Sequence, residues 1–215
     1  MIQTERYTLH HGDCLDILPT LEAGSVDAVI TDLPYGTTAC SWDEVIPFAP
    51  MWAEVKRVLK PRGAFVTTAS QPFTSKLIMS NLEWFKYCWV WKKPHTGQLN
   101  AMHQPLRNIE DVCVFCSGKS IYNPQFSEGV PYKVQRNGYK GSSAYGKQAD
   151  HETVSDGKRY PNQILRFSEA SFLHPTQKPV TLYEYLIRTY TNEDDVVLDF
   201  TAGSGTTGVA AMRTG

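Results

Sequence analysis

The chain has 215 residues, of which 41% are hydrophobic and 20% charged, with a formal net charge of −1. That length holds one domain with room for a small inserted subdomain, and it can bury a full core. The balance excludes a globally basic nucleic-acid binder, so any such contact is local, and no apolar run approaches the roughly 18 residues of a membrane span. Met1 to Arg6 lacks the charged-then-apolar pattern of a secretion signal, which leads to the expectation of a cytoplasmic protein.

Strand and helix signals alternate from the start. Residues 7–10 read as a short strand that ends at Gly12-Asp13-Cys14. Residues 14–21 read as a helix, with Leu15, Leu18 and Leu21 three apart. A strand over 26–31 ends at the acid Asp32. Residues 52–59 are expected to be helical, with Trp52, Val55 and Leu59 on one face and a stop at Pro61-Arg62-Gly63. A strand over 64–68, a helix over 72–81 and strands over 85–91 and 112–115 follow. Residues 181–190 read as a helix, 196–200 as a strand, and 206–212 as the start of a last helix. This alternation predicts an α/β fold with a mostly parallel sheet covered on both faces. The strands near Phe85 and Val112, separated by a loop without a clear helix, predict an antiparallel strand at one edge.

The five cysteines, Cys14, Cys40, Cys88, Cys113 and Cys116, do not read as a disulfide framework. Cys113 and Cys116 are formally C-x-x-C, but on a strand residues three apart face opposite sides. They are expected to be small buried hydrophobes, and no metal site is expected.

Residues 119–166 break the alternation. Gly129, Gly138, Gly141, Gly146 and Gly157 interrupt them, and Tyr122, Tyr132, Tyr139, Tyr145 and Tyr160 recur through them. Eight basic side chains against four acidic ones give this stretch a charge of about +4. Basic residues interleaved with aromatics suit phosphates and bases; the plainer alternative is a solvated surface insertion.

Three motifs carry chemistry. Asp32-Leu33-Pro34-Tyr35 follows a strand, where open α/β sheets bind ligands at the carboxyl ends. The carboxylate suits an exocyclic amine, Pro34 keeps Leu33 extended so that a main-chain carbonyl takes the second N–H, and Tyr35 offers a ring to a base. Gly203-Ser204-Gly205-Thr206-Thr207-Gly208 satisfies G-x-G-x-x-G between a strand and a helix, a turn suited to a nucleoside cofactor. The ribose-binding acid of a dinucleotide fold, about 20 residues on, has no place in the seven residues that follow. A P-loop would need a lysine at the end of the turn, which is lacking. His174-Pro175-Thr176-Gln177-Lys178-Pro179 places hydroxyl, amide and ammonium donors ahead of a helix, a plausible carboxylate site.

In these motifs the chain resembles the amino-group DNA methyltransferases that use S-adenosyl-L-methionine. Asp32 to Tyr35 is similar to their catalytic D-P-P-Y, Asp199 to Gly205 to their F-x-G-x-G cofactor motif, and His174 to Pro179 to their cofactor-carboxylate motif. Gly12-Asp13-Cys14 is similar to the loop that contacts the cofactor's adenine. Catalytic motif first, recognition segment next and cofactor motif last is the order of the β group. The resemblance covers nearly the whole chain, and the Thr-Asp-Leu-Pro-Tyr-Gly form is similar to small phage or prophage methylases of the restriction-modification kind.

The resemblance implies a Rossmann-like methyltransferase fold, with a catalytic half over 1–118, a target-recognition insertion over 119–166 and a cofactor half over 167–215. It implies that Asp32, Leu33, Pro34 and Tyr35 are catalytic. Asp13, Cys14, Thr176, Lys178, Asp199, Phe200, Thr201, Gly203, Gly205, Thr206 and Thr207 would hold the cofactor. Tyr35 and Trp91 would stack on the target base, while Lys133, Arg136 and Lys140 would grip phosphates. The implied partner is double-stranded DNA, and members of the family often form homodimers.

Asp32 favours adenine N6, since cytosine-N4 members more often carry serine there. The alternatives are cytosine N4, an RNA or nucleoside substrate, and a non-catalytic nucleic-acid-binding module on the same scaffold. Two departures stand out. Leu33 replaces a proline of the family motif, and the strand ending in a ribose-binding acid would lie beyond Gly215.

Overall fold

Alternating side chains build the core of the protein, seen in a computed structural model that describes residues 1–97, 101–138, 146, 149–168 and 177–215. The first elements lie outside the main sheet. β1 (Ile2–Gln3) and β2 (Thr8–Leu9) form an exposed antiparallel ladder, so the strand expected over 7–10 shrinks to two residues. α1 (Cys14–Ile17) is a single turn, capped by Asp13 Oδ1, which accepts from the Leu15 N–H at 2.8 Å. The helix expected to reach residue 21 stops early because Pro19 turns the chain into a 3-10 segment over Leu18–Thr20.

β3 (Val26–Asp32) carries Ala28 and Ile30 on one face and Val29 on the other. α2 (Phe48–Val58) buries Met51, Trp52, Val55 and Val58. Instead of the expected stop at 61–63, the chain passes directly into β4 (Leu59–Ala69). Its first residue, Leu59, pairs with Val26, and the register then jumps to Ala28 opposite Ala64, so Lys60 to Gly63 form a bulge. Only glycine fits position 63, where a Cβ would lie 2.9 Å from the Asp27 carbonyl.

α3 (Phe73–Ser80) precedes β5 (Phe85–Gly97) and β6 (Arg107–Phe115), which pair antiparallel. β7 (Ser127–Glu128), β8 (Tyr132–Arg136), β9 (His151–Ser155) and β10 (Lys158–Arg159) belong to a second compact unit, Pro124–Asn162. β11 (Ile164–Leu165), α4 (Val180–Tyr190), β12 (Val197–Leu198) and α5 (Thr206–Thr214) return to the main body.

The main sheet has the order β11-β5-β6-β4-β3-β12. β6 alone runs against its neighbours. The antiparallel strand expected at an edge is therefore interior, because β11 pairs with β5 through Ile164↔Val90 and Leu165↔Trp91 and takes the edge itself. Helices cover both faces. Ala28, Ile30, Ala64, Val66, Val112 and Val114 pack under α4 and α5, while Val29, Phe65, Cys113 and Phe115 pack under α2 and α3. Cys113 sits against Cys88, with sulfurs 3.5 Å apart, whereas Cys116 Sγ donates to the Gly118 carbonyl at 3.0 Å.

The second unit is made of two antiparallel ladders, β7 with β10 and β8 with β9. The Arg159 guanidinium lies 4.8 Å from the Tyr132 ring, and Phe126 packs on Tyr160 at 4.8 Å. No helix among the described residues is long and apolar enough to cross a membrane.

Candidate active site

Two parallel neighbours, β3 and β12, deliver one acid each at their carboxyl ends. Asp32 is the last residue of β3, and Asp199 follows the last residue of β12. Hydroxyls stitch the two ends together. Thr31 Oγ1 donates to Asp199 Oδ1 at 2.6 Å, and Thr201 Oγ1 donates to the Asp32 carbonyl at 2.9 Å. Thr207, in the first turn of α5, donates to Asp199 Oδ2 at 2.6 Å, and the Thr201 N–H reaches Oδ1 at 3.0 Å. Burial pushes the Asp199 carboxyl above its ordinary value, with the nearby Asp32 charge acting the same way; the bonds from Thr207, Thr31 and Thr201 offset this only in part.

The Asp32 carboxylate is surrounded by donors. Thr68, on β4, and the Tyr35 hydroxyl, at 2.9 Å, both donate to Oδ1, and the Lys178 ammonium lies 2.7 Å from Oδ2. Burial opposes the charge of Lys178, but the carboxylates of Asp32 and Glu110 outweigh it and raise its pKa. Glu110 Oε2 is 3.6 Å from the same ammonium, and Lys93 holds Glu110 Oε1 at 2.8 Å. Tyr35 stacks on Phe73 with ring centroids 5.4 Å apart. Burial, then the charge of Asp32, pushes its phenol well above the usual value. The carbonyls of Leu33 and Pro34 accept no backbone hydrogen bond from a described residue.

The loop after Tyr35 is held from one point. Asp43 accepts from the backbone N–H groups of Gly36 and Thr37, both at 2.9 Å, and of Thr38 at 2.7 Å. Burial alone would raise its pKa, but these backbone bonds and the Thr38 hydroxyl outweigh it, and the carboxyl is lowered.

The glycine turn after β12 presents bare main chain. Gly203 and Gly205 adopt φ of +51° and +78°, a left-handed conformation that favours glycine. A Cβ on Gly205 would meet nothing within 4 Å, and one on Gly203 only the Thr201 carbonyl at 3.8 Å. Open space over a turn that starts a helix fits a nucleoside cofactor whose polar groups meet backbone N–H groups. Phe200 backs this turn, stacked on Phe65 at 6.4 Å.

Several expected site residues stand elsewhere. Trp91 is a core residue rather than a base platform: it is 4% exposed, and its indole N–H is spent on the Phe167 carbonyl at 3.1 Å. Strand alternation puts it beside Trp89 on the α4 face. Lys178 contacts Asp32, and no bond among the described residues ties it to the glycine turn. Asp13 and Cys14 begin α1, and no hydrogen bond among the described residues ties them to Asp32 or Asp199. Lys133 is exposed and ion-pairs with Glu152 at 3.0 Å, and Arg136 lies exposed on the same strand. Thr176 and Lys140 fall outside the described residues. The residues missed from sequence are Thr31, Thr68, Asp43 and Glu110. Of these Thr31 and Thr68 carried a signal, a hydroxyl next to the carboxyl end of a parallel strand.

A family model described as DNA methylase matches residues 26–215. The chain is 27% identical over 216 residues to the type II methyltransferase M.HpaI of Haemophilus parainfluenzae, covering 90% of this chain and 63% of that protein. It thus spans somewhat less than two thirds of that relative's length. It is 28% identical over 237 residues to the DNA adenine methyltransferase YhdJ of Escherichia coli (strain K12), covering 98% of this chain and 76% of YhdJ. Among solved structures, the PvuII DNA methyltransferase, titled cytosine-N4-specific, has the same fold, with a TM-score of 0.64 and 19% identity over 94% of this chain and 77% of that one.

Proposed function

From its membership in the DNA methylase family, to which the match over residues 26–215 assigns this chain, we propose that it methylates the N6 amino group of adenine in double-stranded DNA. The observation that carries this reading is the carboxylate of Asp32 at the end of β3, held beside the end of the adjacent strand because Thr201 donates to the Asp32 main-chain carbonyl and Thr31 to Asp199. An anion at that place suits an amine that gains positive charge as it reacts.

S-adenosyl-L-methionine, the methyl donor of the family, supplies an electrophilic methyl carbon on a sulfonium. The residues that would hold it are those of the turn from Asp199 to Thr207. The chain's own task is to make the amine nucleophilic. Its lone pair is delocalised into the base. Asp32 accepts one amine hydrogen and the carbonyl of Leu33 or Pro34 the other, which draws the nitrogen toward tetrahedral geometry and stabilises the charge that develops. Tyr35, backed by Phe73, offers its ring to the base. In a duplex the base must first be flipped out, at a cost of about a few kcal/mol. Lys133 and Arg136 on β8, together with Lys140, supply phosphate contacts in this reading.

The test is methyl transfer from labelled S-adenosyl-L-methionine to duplex DNA, followed by digestion to nucleosides. N6-methyladenine is expected. N4-methylcytosine would overturn the choice of base, and label appearing only in RNA or free nucleosides would overturn the substrate. Asp32→Ala is expected to lower transfer by about 100-fold or more while cofactor binding persists.

A further inference from the structure

Lys178 faces two carboxylates with unequal hold on it. Its ammonium is 2.7 Å from Asp32 Oδ2 and 3.6 Å from Glu110 Oε2. The side chains of Lys178 and Glu110 are each 11% exposed. Lys93 donates to Glu110 Oε1 at 2.8 Å, which fixes the carboxylate on β6. Glu110 Oε2 is buried and has no hydrogen-bond partner among the described residues. A buried anionic oxygen without a hydrogen bond is costly, and such an atom calls for a reason.

The reason lies in what Asp32 is asked to do. In the structure Thr68 and Tyr35 take up its Oδ1, and the Lys178 ammonium is the one donor seen on Oδ2 among the described residues, so Oδ2 is the oxygen left for a further donor. The target amine needs that oxygen. Lys178 competes for Oδ2, and a cation held there also opposes the positive charge that builds on the reacting nitrogen. Removing the lysine to water would strand a buried charge. Moving it to Glu110 would not: the row Lys93, Glu110, Lys178, Asp32 alternates in sign, and every member stays paired.

We propose that Glu110 is a positioning residue that receives Lys178 when the target amine engages Asp32. The ammonium closes from 3.6 Å to the about 2.8 Å of a charge-assisted hydrogen bond, and Asp32 Oδ2 is released to the amine. Glu110 acts only through Lys178 and touches neither base nor cofactor. This inference rests on the reading of the chain as a base methyltransferase.

Glu110→Gln keeps the size of the side chain but removes its charge. It is expected to lower kcat for DNA methylation by about tenfold or more and to leave KM for DNA and for S-adenosyl-L-methionine within about twofold. In a Lys178→Met background the same change is expected to alter kcat by less than about twofold, because the residue it acts through is gone. A Glu110→Gln variant as fast as wild type, or one equally impaired in both backgrounds, overturns the proposal; the second result marks a merely structural role. Should Glu110→Gln melt below the assay temperature, Glu110→Asp replaces it, with a kcat loss expected only where Lys178 is present. Wild-type protein that transfers no methyl group overturns the reading of the function and this inference with it. Wild-type transfer with variants that fail the cycle overturns the inference alone.

Discussion

Thr31 donates its hydroxyl to Asp199 at 2.6 Å across 168 positions of sequence. Thr201 answers with a bond to the carbonyl of Asp32. The residue before one acid and the residue two after the other thus clamp two motifs into one site. The backbone ladder of β3 with β12 pairs Ala28 with Val197 and Val29 with Leu198, short of either acid.

Thr31→Val keeps the shape of this clamp and removes its donor. It is expected to cost about 1 kcal/mol in urea unfolding, the net worth of a hydrogen bond. The deficit should depend on pH. Asp199 already has a raised pKa, and losing a donor raises it further. In that window the folded state binds more protons than the unfolded chain, so stability falls as pH rises. The deficit at about pH 8 should exceed that at about pH 4; the opposite trend would show that Thr31 does not act through the carboxylate.

Asp43→Asn tests the loop anchor, with the opposite sign. The folded pKa of Asp43 is lowered, so its contribution is present above the unfolded value and lost as pH falls through the folded one. The variant should be less stable than wild type by about 1–3 kcal/mol at neutral pH, with the gap closing in acid. Because Asp43 holds the backbone after Tyr35, kcat should fall as well. A gap that persists unchanged in acid would rule out the charge as its origin.

Gly205→Ala separates strain from access. A residue at φ +78° costs about 1–2 kcal/mol, and the new Cβ meets nothing within 4 Å. Thermal melting should therefore change modestly. Affinity for S-adenosyl-L-methionine, read by calorimetric titration, should drop by about tenfold or more, because the methyl group occupies the space that a ligand needs against the backbone. Unchanged affinity would place the cofactor elsewhere.

Lys133→Ala with Arg136→Ala should leave stability nearly intact, since both side chains are exposed and the Lys133 pair with Glu152 is a surface one. DNA affinity should fall, and the slope of log K against log salt should flatten by about 0.9 for each phosphate that is no longer neutralised. A slope identical to wild type would exclude the β8–β9 hairpin as a phosphate grip.

The sheet strands and the two acids are legible because period-two alternation and a turn at a strand's end are local signals. Asp32 and Gly205 can be singled out from their immediate neighbours. That Thr68 and Lys178 meet at Asp32 cannot be read locally, because they stand 36 and 146 positions away. Glu110 is hidden because β6 begins at Arg107, five residues before the apolar run at Val112 that marks it in sequence. Trp91 is easily misread because Lys92-Lys93-Pro94 follows it; alternation on β5 turns the indole inward regardless of that charge. The interior place of β6 is set by β11, whose two ladder residues give no signal of their own.

The pairing of β3 with β12 also sets an order of events. A chain made from its N-terminus completes β3, β4, β5 and β6 while β12 does not yet exist. Until residues 197 and 198 emerge, the far edge of β3 has no strand to pair with and Thr31 no acid to hold. Closing so long a loop costs only slightly more than closing a short one, but such non-local pairing is slow. The glycine turn after β12 therefore forms after the four strands that precede it in the sheet. A ligand that binds only after β12 has docked pulls that final step forward by mass action.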